Sequence, residues 1–405
     1  MLALEGIRIL DLSRLGPGPF CTMILGDLGA EVIKIEALTY RGERSRETGL
    51  VQSSVEEGRE VIYNALDRNK RSIAINLKSD KGLRIFHKLA ERADVIVEGY
   101  RPGVTKRLGI DYQTIAGMNP QIVYCSISGY GQDGPYRDLI GHDINLIAMC
   151  GMLSLIGRRD SLPAIPLNLL ADYGGGAMFA AVGILAAIVA RGKTDKGQYV
   201  DISMGDTVIS LLTQSAIDYF RQGTELKGGE LALNGGYPYY NVYETKDGKL
   251  ITIGCLEPWL WDNLCCEVGE EEYIPFCFKL DHLYHPPEGE KWEEVSSYFR
   301  QVFLTRTRDE WFDLLRQKNI PVGKVNSLSE AFSDPQVLHR QMVVEVEHPT
   351  AGKGNQVGIA IKLSDTPGKI RSLAPTLGEH TEEILTEIGY SKRSIDKLCQ
   401  EGVIS

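Results

Sequence analysis

Ile7-Arg8-Ile9-Leu10-Asp11-Leu12-Ser13-Arg14-Leu15-Gly16-Pro17-Gly18-Pro19-Phe20-Cys21-Thr22-Met23-Ile24-Leu25-Gly26-Asp27-Leu28-Gly29-Ala30-Glu31-Val32-Ile33-Lys34-Ile35-Glu36 reads as strand, turn, helix and strand. Ile7 to Leu10 and Glu31 to Ile35 are short β-type runs, and Phe20 to Leu28 between them has a helical pattern. The alternation continues with a strand over Ser72 to Asn76, a helix over Lys81 to Arg92, and strands over Val95 to Glu98 and Ile122 to Ser126. Strands alternating with helices predict an α/β fold with a parallel sheet and crossover helices. Ligands of open α/β sheets sit beyond the carboxyl ends of strands, which here carry Asp11-Leu12-Ser13, Glu36 and Glu98-Gly99-Tyr100-Arg101.

From about residue 172 to 222 the chain is helical and rich in small apolar residues, and Gly228 to Gly236 is a glycine-rich break. Tyr239 to Thr245, the turn Lys246-Asp247-Gly248-Lys249 and Leu250 to Gly254 form a hairpin pattern, because Asp-Gly supplies the positive φ a tight turn needs. Helical patterns follow around Trp259 to Val268 and Trp292 to Leu304, and another region begins after Ser333-Asp334-Pro335. There is no internal repeat.

The 405 residues suffice for two or three domains with a sizeable core. A net charge of −10 repels nucleic acid and anionic membrane surfaces, so an anionic ligand needs a local basic patch. Eight cysteines without a Cys-x-x-Cys pair, mostly in apolar runs, read as reduced thiols in a cytoplasmic compartment. Cys277, His282 and His285 raise a metal site only weakly, since Asp281-His282-Leu283-Tyr284-His285-Pro286-Pro287 reads as a surface loop. No signal peptide precedes the first strand, and the C-terminal Gly-Val-Ile-Ser matches no peroxisomal address. The most apolar stretch, Ala177 to Ala190, is 14 residues and is expected to be a buried helix too short for a bilayer.

Gly16-Pro17-Gly18-Pro19 after a strand, with Glu36 downstream, resembles a dinucleotide loop. Its prolines remove N–H groups that would cradle a pyrophosphate, so a tight turn into the helix is the better reading. Arg68, Lys70 and Arg71 in one turn, and Arg101 at a strand end, are candidate phosphate contacts. His142, in Gly141-His142-Asp143-Ile144-Asn145, precedes a helix-like run whose free N–H groups suit a developing negative charge. Asp172 lies before Gly174-Gly175-Gly176, where it reads either as a helix cap or as an acid beside a backbone that a ligand can approach. Glu257 follows a strand and reads equally as a helix start signal.

Together these segments resemble the class III CoA-transferase and racemase superfamily, and within it the α-methylacyl-CoA racemase branch. The resemblance is carried by Asp11-Leu12-Ser13-Arg14, Leu25 to Glu36, Glu98 to Val104, Gly129-Tyr130-Gly131-Gln132-Asp133-Gly134-Pro135, Gly141 to Asn145, Leu167 to Gly176, Gly235 to Tyr240 and Leu377-Gly378-Glu379-His380-Thr381. It implies a Rossmann-like large domain, a smaller α+β domain and an interlocked homodimer with the active site between one subunit's large domain and the other's small one. On this chain it implies a large CoA-binding domain over 1–205, a linker helix over 206–230, a small domain over 231–325, and a linker with C-terminal return over 326–405. Coenzyme A belongs to the substrate, and no metal, flavin or nicotinamide is implied.

In transferases of the superfamily the acid matching Asp172 attacks the thioester, giving an anhydride and then an enzyme-bound CoA thioester. In racemases it is one of two bases. His142 and Glu257 match the racemase pattern of a histidine with a glutamate from the partner subunit, and Asp143 and Asn168 match positions near the thioester carbonyl. The expected activity is thus interconversion of 2-methylacyl-CoA epimers by α-proton transfer through an enolate, with CoA transfer as the alternative and a non-catalytic CoA-binding protein as the remote one. Arg68, Lys70, Arg71 and Arg101 are expected to hold the CoA, and Met149, Met152 and Tyr240 are candidates for the acyl path. Residues 50–65 and 273–292 look unlike a compact racemase.

Overall fold

The computed structural model describes residues 1–38 and 62–405, which fall into two compact units. Most of the unusual stretch at 50–65 lies outside the described residues. The first unit comprises Met1–Leu146, Asn168–Thr207 and Phe332–Ser405, and the second Ile147–Leu167 and Val208–Ala331. The second unit thus includes residues 147–167, which the sequence placed in the large domain, and its longer segment begins at Val208, within the expected linker helix.

The first unit is built on a six-stranded parallel sheet in the order β3-β2-β1-β4-β5-β6. Its strands are β1 (Arg8–Asp11), β2 (Glu31–Glu36), β3 (Lys70–Ala74), β4 (Val95–Glu98), β5 (Val123–Ser128) and β6 (Gln198–Ser203). β4 and β5 are buried along their whole length, as expected of parallel strands covered by helices on both faces. The helices α1 (Pro17–Asp27) and α2 (Asp80–Ala90) make the early crossovers. Ser79 caps α2 by accepting the Gly82 N–H at 3.0 Å, with Asp80 in the first turn and His87 and Lys88 in the last.

β3 begins two residues earlier than its hydrophobic pattern suggests, because its basic residues are inside. Lys70 is fully buried between Asp11 Oδ2 at 3.0 Å and Asp67 Oδ1 at 3.1 Å, and Lys34 reaches Asp67 Oδ2 at 2.5 Å. Burial alone would raise the Asp67 carboxyl, but Lys70 and Lys34 overcome it and hold it well below the usual carboxylate range. Arg68, also buried, forks onto Asp27 at 3.0 and 2.6 Å and donates to the Val357 carbonyl at 2.6 Å. Arg71 is ringed by Glu31, Glu383 and Glu387 at 2.9, 3.1 and 2.7 Å. Arg68, Lys70 and Arg71, the expected phosphate contacts, are thus engaged in ion pairs, and an incoming phosphate would have to displace carboxylates already bound.

β3 is an edge strand, and the C-terminal part of the chain covers it. Ile75 bridges Ile404, the Asn76 N–H donates to the Val403 carbonyl at 2.9 Å, and the Thr381 hydroxyl accepts the Ala74 N–H at 3.3 Å. Ile384, Leu385, Ile388, Ile395 and Leu398 pack into the same core as Ile73 and Ile75. Pairing and covering the edge removes a template for aggregation.

The apolar segment after Asn168 forms one continuous helix, Leu169–Thr194, of 26 residues. It begins as a π-helix, Leu169–Met178, and continues as the α-helix α3 (Phe179–Thr194). By length and composition it is long and apolar enough to cross a bilayer, contrary to the sequence expectation. In the structure it packs against α1, β5 and β6, burying Ala180, Ala181, Ile184 and Ala187.

The second unit has the antiparallel sheet β7-β8-β9, from Tyr240–Glu244, Leu250–Gly254 and Val322–Lys324. Its hairpin turn is the expected one: Gly248 has φ 70°, and the Thr245 hydroxyl donates to Asp247 at 2.7 Å. Helices α4 (Pro258–Val268), α5 (Glu290–Phe303) and α6 (Arg308–Gln317) enclose an aromatic core of Trp261, Phe299, Phe303 and Trp311. Within 273–292, His282 stacks on Tyr237 at 4.3 Å and shares a 2.8 Å hydrogen bond with the Tyr239 hydroxyl. Among the described residues no group of three or more His, Cys, Asp or Glu could hold a metal.

Lys70→Ala leaves Asp11 and Asp67 buried without their cation, and should cost about 3–5 kcal/mol of stability. Lys353→Ala, which removes an exposed pair with Glu345, should cost about 0–1 kcal/mol. Thermal denaturation of both variants checks this, and equal midpoints would refute the structural role of Lys70.

Candidate active site

The order of the sheet reverses between β1 and β4, which makes a crevice at their carboxyl ends. Asp11 at the end of β1 is fully buried; it accepts the Ser13 N–H at 2.9 Å, the Ser13 hydroxyl, the Thr22 hydroxyl at 2.6 Å and the Lys70 ammonium. These bonds fix the turn from β1 into α1. At the end of β4, Glu98 is buried and accepts the Tyr100 N–H at 2.7 Å, and burial pushes its carboxyl up to about 7. Arg101 follows, exposed and without a side-chain partner among the described residues. The guanidinium of Arg14, also exposed, lies 5.8 Å from the Tyr100 ring centroid. Two exposed cations, Arg101 and Arg14, thus lie just beyond the carboxyl ends of β4 and β1. Its place just beyond a strand end was the available signal for Arg14.

The dinucleotide reading does not survive. Glu36, the would-be ribose acid, is occupied by the Ser72 hydroxyl and by Lys34 at 3.4 Å. Gly18 is a packing glycine, since a Cβ there would stand 2.2 Å from that of Ser13.

Asp172 is the fourth residue of the π-helix, half-buried, inside the helix rather than capping it. Its position is fixed from two sides. Asp143, 3% exposed, accepts the backbone N–H groups of Ala171 and Asp172 on one carboxylate oxygen, at 2.6 and 2.8 Å. Asn168 Nδ2 donates to Asp172 Oδ2 at 3.2 Å. The side chains of Asp143 and Asn168 therefore hold Asp172 and its backbone in place. Of the three glycines that follow, Gly175 and Gly176 serve packing: Cβ atoms there would come within 2.5 Å of Thr207 and 2.6 Å of Pro17. The ring of Phe20 packs against that of Tyr173, tilted by 36° with centroids 4.7 Å apart, and ties the start of α1 to the π-helix.

Burial raises the Asp172 carboxyl above its ordinary range; Asn168 opposes the shift, Asp143 adds to it, and His142 opposes it. His142 is close enough to act on Asp172 by its charge. It lies directly before the short helix Asp143–Met149, and its backbone N–H donates to Asn145 Oδ1 at 3.0 Å. Its ring is exposed and makes no hydrogen bond with any described residue. His142, Asp143, Asn168 and Asp172 thus come together in the first unit. Glu257 is an exposed residue of the second, at the N-cap of α4, with no side-chain capping bond. Of the acyl-path candidates Met152 is buried, while Met149 and Tyr240 are exposed.

An acid lifted by burial and an accessible imidazole nearby are groups able to take and give protons. Residues 4–381 match CoA-transferase family III. The chain is 37% identical over 406 residues to the mouse succinyl-CoA:glutarate CoA-transferase, covering 100% of this chain and 91% of that protein. It is 32% identical over 403 residues to the human α-methylacyl-CoA racemase, covering 100% and 98%. The crystal structure of a CAIB/BAIF family protein from Brucella suis superposes with a TM-score of 0.79 at 27% identity, covering 96% of this chain and 99% of that one. The chain belongs to CoA-transferase family III. It is an enzyme of that transferase and racemase superfamily.

Asp143→Asn keeps an acceptor for the two N–H groups but removes the negative charge beside Asp172. The Asp172 titration midpoint, read by carboxyl carbon NMR, should fall yet stay above the ordinary carboxylate value because burial persists. An unchanged midpoint would refute the coupling.

Proposed function

We propose that this enzyme is a 2-methylacyl-CoA racemase in which Asp172 and His142 remove and supply the α-proton on opposite faces. The observation that carries the reading is the pairing of an accessible imidazole with a carboxyl lifted by burial, held in place by Asp143 and Asn168. A transfer nucleophile needs only the ionised acid, whereas inversion needs a proton acceptor and a proton donor on opposite faces of a planar carbon.

In one direction the Asp172 carboxylate takes the α-proton, the C–H electron pair passes into the enolate, and protonated His142 delivers its proton to the opposite face. Asp172 ends protonated and His142 neutral; the other enantiomer runs the steps in reverse. Backbone N–H groups at the start of helix Asp143–Met149 are suited to receive the enolate oxygen. Glu257 of a second copy would orient the imidazole and stabilise its charged form. We further propose an interlocked homodimer, CoA phosphates held by Arg101 and Arg14, no cofactor beyond the CoA of the substrate, no nucleic-acid or membrane partner, and a cytoplasmic location, which eight free cysteines suit.

The alternative, CoA transfer through Asp172, is favoured by the mouse relative named succinyl-CoA:glutarate CoA-transferase at 37% identity. One enantiomer of a 2-methylacyl-CoA incubated in heavy water decides between them. Racemisation gives deuterium at the α-carbon without an acceptor acid, and His142→Ala should lower the rate by roughly 10²–10⁴-fold. Turnover that requires an acceptor acid, a hydroxylamine-trapped adduct and an indifferent His142→Ala variant would establish transfer instead. Arg14→Ala and Arg101→Ala should each raise KM for the CoA ester roughly tenfold, the worth of one charge-assisted hydrogen bond. Unaltered KM values would remove these arginines from the CoA site.

A further inference from the structure

The turn fixed by Asp11 brings one residue against the catalytic acid. Gly16, at the N-cap of α1, has φ 64° and ψ −125°, and a Cβ on it would stand 3.2 Å from Asp172 Oδ2, 3.5 Å from Cγ and 3.8 Å from Oδ1. Gly18 and Gly176 are small because carbon atoms of Ser13 and Pro17 press on them. Gly16 differs: the nearest atoms to its missing side chain all belong to the Asp172 carboxyl. The only side-chain hydrogen bond on Oδ2 among the described residues comes from Asn168. The edge of that oxygen beside Gly16 is therefore kept clear by the lack of a side chain.

A base must approach the carbon it deprotonates to about 3–3.5 Å. When the α-hydrogen points at Oδ2, the other three groups on that carbon splay around the oxygen, and one of them must lie alongside residue 16. On the racemase reading above, we propose that Gly16 determines substrate specificity by setting the largest 2-substituent that Asp172 accommodates, with a methyl group lying against its Cα. With the thioester carbonyl turned toward the N–H groups at the start of helix Asp143–Met149 and the acyl chain extending away from the acid, the small substituent is left for the Gly16 side.

Solvent deuterium exchange at the α-carbon tests this, because it can be followed with unbranched, 2-methyl and 2-ethyl acyl-CoA alike. One added methylene at a filled site costs roughly 10–200-fold in kcat/KM. The wild-type enzyme should show that drop between methyl and ethyl. Gly16→Ala should shift the drop to between unbranched and methyl, so that the unbranched-to-methyl ratio rises roughly tenfold or more. An unchanged ratio, with both rates falling together from backbone strain, would reduce Gly16 to a turn residue. A wild-type series without a step between methyl and ethyl would overturn the proposal even if the variant does not fold. Absence of exchange from every substrate would instead overturn the racemase reading, and with it this inference.

Discussion

The buried Asp11 carboxylate organises the first unit. Its two oxygens take hydrogen bonds from Ser13, Thr22 and Lys70, which belong to the turn after β1, to α1 and to β3. Unpaired, a buried carboxylate would cost several kcal/mol; with these partners it becomes a rigid joint. Because the turn is fixed, Arg14 is set at the crevice beside Tyr100, and Gly16 is set against Asp172. The nucleotide end and the reacting end of the candidate site are thus two sides of one turn.

The acid chemistry rests on a second carboxylate that does not react. Asp143 spends one oxygen on the two N–H groups that begin the π-helix, and its charge adds to the burial that lifts Asp172. One residue thereby sets both the position and the proton affinity of its neighbour. This coupling explains why a short segment, Gly141 to Asn145, and the Asn168–Asp172 turn must be kept in register.

The parallel strands were legible in the sequence because buried runs such as Val95-Ile96-Val97 are uninterrupted, and Leu250 to Gly254 because Asp247-Gly248 marks its turn. His142, Asp143, Asn168 and Asp172 were legible from their motifs, and the structure brings all four into one unit. The ion pairs of the cationic turn were not legible: Arg68 and Lys70 read as candidate phosphate contacts because their acids Asp27 and Asp11 lie 41 and 59 positions away. The glycine triplet misled for a similar reason: the atoms that crowd Gly175 and Gly176 come from Thr207 and Pro17, distant in sequence. The apolar length of the helix also escaped, since the uninterrupted apolar run starts at Ala177 whereas the helix starts at Leu169.

The closing of β3 by the distant C-terminal segment has a consequence in time. Ser72 meets His380 across 308 positions of chain, and Ile75 meets Ile404. Contacts that remote are the last a growing polypeptide can make, and they slow folding because a long loop must be ordered first. While the ribosome is still working on the second unit, the flank of β3 stands bare. Until synthesis reaches the final helices, that flank is an unpaired strand edge.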